Sequence, residues 1–153
     1  MVTLLKTKQG SNDDVYTPPE LFAQLQITFD LDVCAPKGGI PWIPASKHYS
    51  LEDDALSQPW HGRVWMNPPY SKPQPWIDRF IEHKNGIALI PTSTGKWMSQ
   101  LWQEPITSWT MLHNLRFVKP TGEQYARGLP TRVWLVAIGT ENQEAIARVG
   151  TTR

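Results

Sequence analysis

The sequence is poor in cysteine and has no long hydrophobic run. Its single cysteine, Cys34, excludes an internal disulfide framework and leaves a structural zinc site without its usual thiolate ligands. Since His61, His83 and His113 lack metal-ligand spacing, we expect no metal. No apolar stretch approaches the roughly 20 residues of a membrane-spanning helix, and the opening residues MVTLLK are too short and weakly apolar for a signal peptide. These absences predict a cytoplasmic protein that does not enter a membrane.

The composition is typical of a globular protein, with 40% hydrophobic and 19% charged residues in 153. This length can bury a core, so we expect one domain over residues 1–153, with 1–12 as a frayed terminus. The net charge of +1 hides an asymmetry, because residues 1–60 hold four Lys/Arg against eight Asp/Glu and residues 61–153 hold eleven against six. A basic second half favours a polyanionic partner, although many solvated surfaces share this balance.

The run Asn67-Pro68-Pro69-Tyr70 follows an apolar stretch over 63–66 that predicts a short buried strand. Active residues of α/β proteins commonly lie where such a strand ends. The Asn67 amide offers a carbonyl acceptor, the prolines stiffen the turn, and Tyr70 adds a flat ring. Acceptors beside a ring suit a planar group that bears an –NH2, such as adenine, cytosine or a glutamine amide. The alternative is a simple Pro-Pro turn with no function.

Helical and strand patterns alternate along the chain, which predicts an α/β sheet. Thr17 is the expected N-cap of the first helix. The segment 37–50 is a long Gly- and Pro-rich loop, and its Trp42 is expected either to stack on a base or to cover the core. The last two predicted strands are close in sequence and are expected to form an antiparallel C-terminal hairpin. Helices are expected over 18–25, 75–83 and 96–103, and strands over 27–33, 63–66, 86–91, 107–112, 115–118 and 133–138.

Three segments precede the tetrapeptide: Tyr16-Thr17-Pro18, Leu31-Asp32-Val33-Cys34-Ala35 and Asp54-Ala55-Leu56. In this order, and together with Asn-Pro-Pro-Tyr, they resemble the S-adenosylmethionine-dependent DNA adenine-N6 methyltransferases of the small phage type. The pattern covers roughly residues 14–76. The resemblance implies a Rossmann-like class I methyltransferase sheet of reduced size, mostly parallel, in a protein that works in the cytoplasm of a bacterial host cell.

The resemblance also implies S-adenosyl-L-methionine as the cofactor, DNA as the partner and a role for each segment. An adenine would flip out of the duplex, stack on Tyr70 and receive a methyl group by direct in-line transfer. The implied catalytic residues are Asn67, Pro68, Pro69 and Tyr70. The implied cofactor-binding residues are Tyr16, Thr17, Pro18, Asp32, Cys34, Ala35, Asp54, Ala55, Leu56 and Asn67. The expected substrate contacts are Tyr70, Ser71, Lys72, Trp42, Lys47 and Arg127.

Two features depart from the family pattern. Larger relatives have a Gly-containing loop after the first strand, whereas here Cys34-Ala35-Pro36 precedes Gly38-Gly39. The interval from Asp32 to Asp54 is too short for a helix–strand unit, so no acidic ribose-binding residue is identifiable. Two alternatives stay open: methylation of a glutamine amide or an RNA adenine, and a non-catalytic Trp-rich nucleic-acid-binding module. The sequence does not specify the DNA target or the oligomeric state.

Overall fold

The computed structural model describes residues 15–126 and 132–153, so the expected frayed terminus lies outside the described residues. Two 3-10 turns, Leu51–Asp53 and Ala55–Ser57, precede the second strand. The strands are β1 (Leu31–Asp32), β2 (Val64–Met66), β3 (Gly86–Pro91), β4 (Thr107–Leu112) and β5 (Val133–Ile138). The helices are α1 (Pro19–Leu25), α2 (Gln74–His83), α3 (Lys96–Gln103) and α4 (Thr140–Ala147).

The five strands form one mixed sheet in the order β1-β2-β3-β5-β4. The first three strands are parallel neighbours. β5 runs antiparallel between β3 and β4, so β4 points the same way as β1, β2 and β3. The carboxyl ends of four strands therefore meet at one edge of the sheet, which is where α/β proteins usually place a ligand. The predicted α/β class is confirmed.

One of the two strands expected in the C-terminal hairpin is wrong, because residues 115–118 form no strand. β5 pairs with β4 instead. After β4 the chain turns at Asn114, whose φ is +56°. Phe117 then enters the core at 2% exposure, and Val118 makes only isolated bridges to Tyr16 and Gln124. The apolar residues of this segment thus reflect core packing rather than a hydrogen-bonded ladder.

The outer edge of β1 is covered by an extended segment, residues 45–49, from the loop predicted to be irregular. Asp32 donates its N–H to the carbonyl of Lys47 at 2.9 Å, and its own carbonyl accepts the Tyr49 N–H at 2.8 Å. Parallel bridges join Phe29 to Ala45 and Asp32 to His48. The predicted strand over 27–33 shortens to β1, and the extended segment 45–49 pairs along its outer edge.

Helices cover both faces of the sheet, and residues alternate between two buried clusters as the period of a strand requires. Trp65, Ile87 and Leu89 face the side of α1 and α4. Met66 and Ala88 face the side of α2 and α3. All six residues of β3 are buried, which is typical of a central strand covered on both faces. Within the described part of the chain, no helix is both long and apolar enough to cross a membrane.

Candidate active site

Buried polar side chains gather where β1 and β2 end. Asn67 follows β2 and is 3% exposed, and Asp32 ends the neighbouring β1 at the same exposure. Thr17 is 1% exposed and lies close to Asn67, since Asn67 Nδ2 donates to Thr17 Oγ1 at 3.5 Å. Buried polar groups are uncommon unless they are partnered or functional. This edge of the sheet is therefore the candidate site.

Thr17 does not cap α1, contrary to the sequence-based expectation. The N-cap is Pro18, and the helix has no side-chain cap hydrogen bond. Pro18 is in the extended conformation, and proline at the start of a helix removes one of the N–H groups that a cap would satisfy. The Thr17 hydroxyl is thereby left to face the Asn67 amide.

The Tyr70 hydroxyl contacts Asn67, which no local pattern in the sequence predicts. It donates to Asn67 Oδ1 at 2.5 Å and also lies 2.9 Å from the carbonyl oxygen of Leu89 on β3. The ring is half-buried, but its hydroxyl points inward, and burial raises the pKa of Tyr70 above its ordinary value. The phenol therefore stays protonated and acts as a hydrogen-bond donor within the site.

The rest of the tetrapeptide connects the site to α2. Pro68 is buried, whereas Ser71 and Lys72 are exposed. Pro69 forms one wall of a neighbouring cavity of about 90 Å³. The cavity lies between the end of β1 and the two 3-10 turns, and it is lined by Val33, Cys34, Ala35, Tyr49, Ser50, Leu51, Asp54, Ala55, Pro69 and Trp76. Apolar walls with one exposed carboxylate, Asp54, suit a flat ring that has a polar edge.

Hydrogen bonds between side chains and the backbone fix the turn that presents Asp54. Asp54 has φ +52°, a left-handed conformation that is uncommon outside glycine. Before it, Asp53 accepts the Ser50 N–H at 2.8 Å, and this hydrogen bond lowers the pKa of Asp53. After it, the Trp60 indole donates to the Ala55 carbonyl at 3.0 Å. The turn is thus held from both ends.

Arg79, on α2, completes that support. Its guanidinium donates to the carbonyls of Leu56 at 3.0 Å and Gln58 at 2.7 Å. The sequence pattern includes Asp54-Ala55-Leu56 but not Arg79, because the contacts of Arg79 join residues that are more than 20 positions apart.

A second cavity, of about 200 Å³, is lined in part by Asp32. Its lining includes Gly38 and Gly39, which both have positive φ. A Cβ on Gly39 would lie 2.9 Å from the His48 ring, so glycine lets the loop approach residues 45–49 closely. Asp32 Oδ1 accepts the Cys34 N–H at 3.2 Å. The glycine loop, although late in sequence, therefore reaches the end of β1 in space.

Tyr16 and Trp42 connect two segments beside the site. The Trp42 indole donates to the Thr17 carbonyl at 2.7 Å, and its ring centroid is 6.0 Å from that of Tyr16. Tyr16 and Val118 exchange backbone hydrogen bonds at 2.8 Å. Trp42 thus fastens the long loop to the segment that carries Thr17. Its predicted stacking on a base stays a prediction.

The basic residues expected to contact phosphates lie on separate segments of the chain. Lys47 and Lys72 are exposed, on the segment outside β1 and just after Tyr70 respectively, and Arg127 lies outside the described residues. At the same edge of the sheet, Arg132 contacts His113 Nδ1 at 2.9 Å. No group of side chains in the described ranges is suited to hold a metal ion.

The comparisons with known proteins converge on one family. A family model described as DNA N-6-adenine-methyltransferase (Dam) matches residues 5–104. A DNA N-6-adenine-methyltransferase of Haemophilus phage HP1 (strain HP1c1) is 32% identical over 108 residues, covering 63% of this chain and 61% of the relative. A protein of the same name from Escherichia phage T1 is 34% identical over 82 residues, covering 48% and 33%. The chain thus spans less than two thirds of either relative, and no solved structure matches it.

Proposed function

The chain belongs to the DNA N-6-adenine-methyltransferase (Dam) family, and we propose that it transfers a methyl group from S-adenosyl-L-methionine to the exocyclic N6 of adenine in DNA. The observation that carries the proposal is the position of Asn67. Its buried amide lies at the carboxyl end of β2, and Pro69, two residues further on, forms a wall of the cavity that also contains Asp54. An acceptor for an amine and a pocket for a flat ring therefore adjoin.

We further propose that the sheet is a reduced Rossmann-like class I methyltransferase sheet. Three parallel strands, helices on both faces, and polar residues at the carboxyl ends support this assignment. The segment over 45–49 stands at the edge where a larger sheet would continue.

The residues around the two cavities fit the proposed cofactor. Asp54 would accept from the adenine amino group while apolar residues such as Ala55 and Leu51 cover the ring. Asp32 is buried, and its carboxylate already accepts the Cys34 N–H. This carboxylate would accept a hydrogen bond from the cationic or hydroxyl-bearing part of the cofactor. Tyr16, Thr17 and Pro18 would lie against the methionine moiety. When bound, the cofactor supplies an electrophilic methyl group.

The protein's own contribution is to prepare the amine. The N6 lone pair of adenine is delocalised into the ring, which makes the nitrogen a poor nucleophile. Asn67 Oδ1 and the Pro68 carbonyl would each accept one amine hydrogen, favouring a nitrogen whose lone pair is available for attack. Pro68 and Pro69 stiffen this turn. Most of the rate enhancement would come from this positioning and from stabilising charge on the nitrogen.

The target adenine would have to leave the duplex, because a stacked base cannot reach Asn67. Tyr70 would receive the flipped base, and Ser71, Lys72, Trp42, Lys47 and Arg127 are the proposed contacts to the strand. Unstacking costs a few kcal/mol, which stacking and phosphate contacts offset. We place the reaction in the cytoplasm of a bacterial host cell, where the DNA of a phage and its host is found.

The test is incubation of the purified protein with methyl-labelled S-adenosyl-L-methionine and, separately, DNA, RNA and protein. We expect label in N6-methyladenine from DNA. Label in an RNA adenine or a glutamine side chain would support the first alternative, and label in 5-methylcytosine would refute the proposal.

A control variant addresses the non-catalytic alternative. Asn67→Ala should lose transfer by at least about 100-fold, the size typical of a lost transition-state hydrogen bond, and calorimetry should show that the parent protein binds S-adenosyl-L-methionine. A nucleic-acid-binding module without catalysis would instead bind DNA, show no affinity for S-adenosyl-L-methionine and transfer no label.

A further inference from the structure

We propose that the Tyr70 hydroxyl is a positioning group that turns the Asn67 amide so that its oxygen, not its nitrogen, faces the target amine. This inference rests on the proposed function and assigns a second task to a residue otherwise expected to supply only a stacking ring.

Orientation matters because an asparagine side chain has two ends of nearly equal shape. One end is a carbonyl acceptor and the other is an –NH2 donor. If the Asn67 amide rotated by half a turn, a donor would face the donor hydrogens of the adenine amine. The acceptor needed for transfer would then be lost without any change in the fold.

The distance between Tyr70 and Asn67 identifies which end of the amide they share. Their oxygens are 2.5 Å apart, which fits the range of an O–H···O hydrogen bond and is too short for an N–H···O bond. The amide nitrogen then faces Thr17 Oγ1 at 3.5 Å, a much weaker contact. The hydroxyl is therefore the dominant group that sets the orientation.

The sheet holds that hydroxyl in place. Its single hydrogen is shared between two acceptors, Asn67 Oδ1 at 2.5 Å and the Leu89 carbonyl at 2.9 Å. Leu89 belongs to β3, which is paired on both sides with β2 and β5. Tyr70 thus connects a loop residue to a strand that is held on both sides. Since a carbonyl oxygen has two lone pairs, Asn67 Oδ1 keeps one acceptor position for the incoming amine.

The kinetic test compares Tyr70→Phe with the parent protein and repeats that comparison in an Asn67→Asp background. Phenylalanine keeps the ring and removes the hydroxyl. We expect kcat for DNA methylation to fall about 5- to 10-fold, the effect of one hydrogen bond, with the KM for S-adenosyl-L-methionine unchanged. A carboxylate has two equivalent oxygens, so Tyr70→Phe should change kcat less than about 2-fold in the Asn67→Asp background.

A second measurement needs no activity. The side-chain amide hydrogens of Asn67, assigned by their loss in Asn67→Asp, should be well separated in the NMR spectrum of the protein alone and protected from exchange. In Tyr70→Phe they should move towards free-amide positions and exchange faster. This measurement decides the question if Asn67→Asp proves inactive.

The outcomes separate the inference from the proposed function. A parent protein that methylates no adenine defeats the function, while the NMR comparison still tests the contact. A parent that is active while Tyr70→Phe equals or exceeds its kcat overturns the inference, since the hydroxyl would then be idle or would block the acceptor. An equal loss of kcat in the parent and in the Asn67→Asp background also overturns it, since the hydroxyl would then act independently of the amide.

Discussion

Arg79 lies over the indole ring of Trp60, with its guanidinium carbon 4.8 Å from the ring centroid. The same two side chains supply the donors that hold the carbonyls of Ala55, Leu56 and Gln58. Arg79 and Trp60 therefore support the turn that carries Asp54 from outside the proposed cofactor cavity.

Replacing Arg79 by lysine should weaken cofactor binding without impairing transfer. Lysine keeps the charge but not the planar fork that reaches two carbonyls. We expect the Kd for S-adenosyl-L-methionine, measured by calorimetry, to rise about 3- to 10-fold, with kcat nearly unchanged. Arg148→Lys is the matched control, because Arg148 also donates twice to a carbonyl, that of Leu25, away from the cavity. Equal losses of cofactor affinity in Arg79→Lys and Arg148→Lys would contradict this role.

Asp54→Ala should lose both an acceptor and a residue suited to its backbone. We expect cofactor affinity to fall at least about 10-fold, as for a lost hydrogen bond to a charged group, and unfolding free energy to fall by about 1 kcal/mol. Asn114→Ala separates the two effects, since Asn114 has a similar φ of +56°. It should show the stability loss in urea unfolding and normal cofactor affinity. Normal affinity in Asp54→Ala would exclude Asp54 from the cofactor site.

Lys72→Gln should weaken DNA binding in a salt-dependent way. Lys72 is exposed two residues after Tyr70, and a lysine that contacts a phosphate contributes about one counterion to the salt slope. Fluorescence anisotropy at several salt concentrations should show a slope smaller by about one. Lys84→Gln, beyond the opposite end of α2 and before β3, should leave the slope unchanged. Identical slopes in all three proteins would remove Lys72 from the interface.

The buried hydroxyl of Tyr70 should make stability fall faster above pH 10. Burial raises the pKa of Tyr70 in the folded state, while the unfolded state titrates near 10. The stabilisation is therefore complete below pH 10 and is lost progressively as the pH rises above it, because the unfolded chain then releases a proton that the folded chain keeps. Between pH 9 and 11, urea unfolding should show about 1 kcal/mol more loss in the parent than in Tyr70→Phe. Parallel losses would mean that the hydroxyl is solvated.

Bound S-adenosyl-L-methionine should protect Cys34 from a thiol reagent. Cys34 lines the cavity beside Asp54 and is the single cysteine of the chain, so mass spectrometry measures its labelling directly. We expect labelling to slow at least several-fold at saturating cofactor and to be unaffected by free methionine. Unchanged labelling would place the cofactor elsewhere.

Local patterns predicted the parts of the site that depend on neighbouring residues. The apolar run before Asn67 and the two prolines after it place that residue at a strand end, and the structure agrees. The helix after Pro18 was also correct, but the cap was not, because an extended Pro18 left Thr17 facing another segment. The contact between Tyr70 and Leu89 could not be predicted from local patterns either, because it depends on which strand lies beside β2.

Two larger errors have the same physical origin. Residues 115–118 are as apolar as a typical strand. Their apolar character is explained by the packing of Phe117 in the core, and the segment forms no ladder of backbone hydrogen bonds. Residues 45–49 have the composition of a loop, yet they pair with β1 because an open strand edge accepts any extended segment of suitable length. Helix α4 was not predicted, since its buried side is small and includes Asn142.

The position of β5 in the sheet sets the order in which the nascent chain can fold. Among the described strands, β4 pairs with β5 and not with β3, so its ladder cannot form until residues 133–138 leave the ribosome. At about 5–20 residues per second, synthesis of the connection lasts on the order of a second or more. During that interval the three parallel strands carrying Asp32 and Asn67 are already complete, whereas β3 and β4 both present open edges. The segments that carry the site residues are thus synthesised before the sheet can be completed, and pairing of β5 closes the open edges of β3 and β4 together.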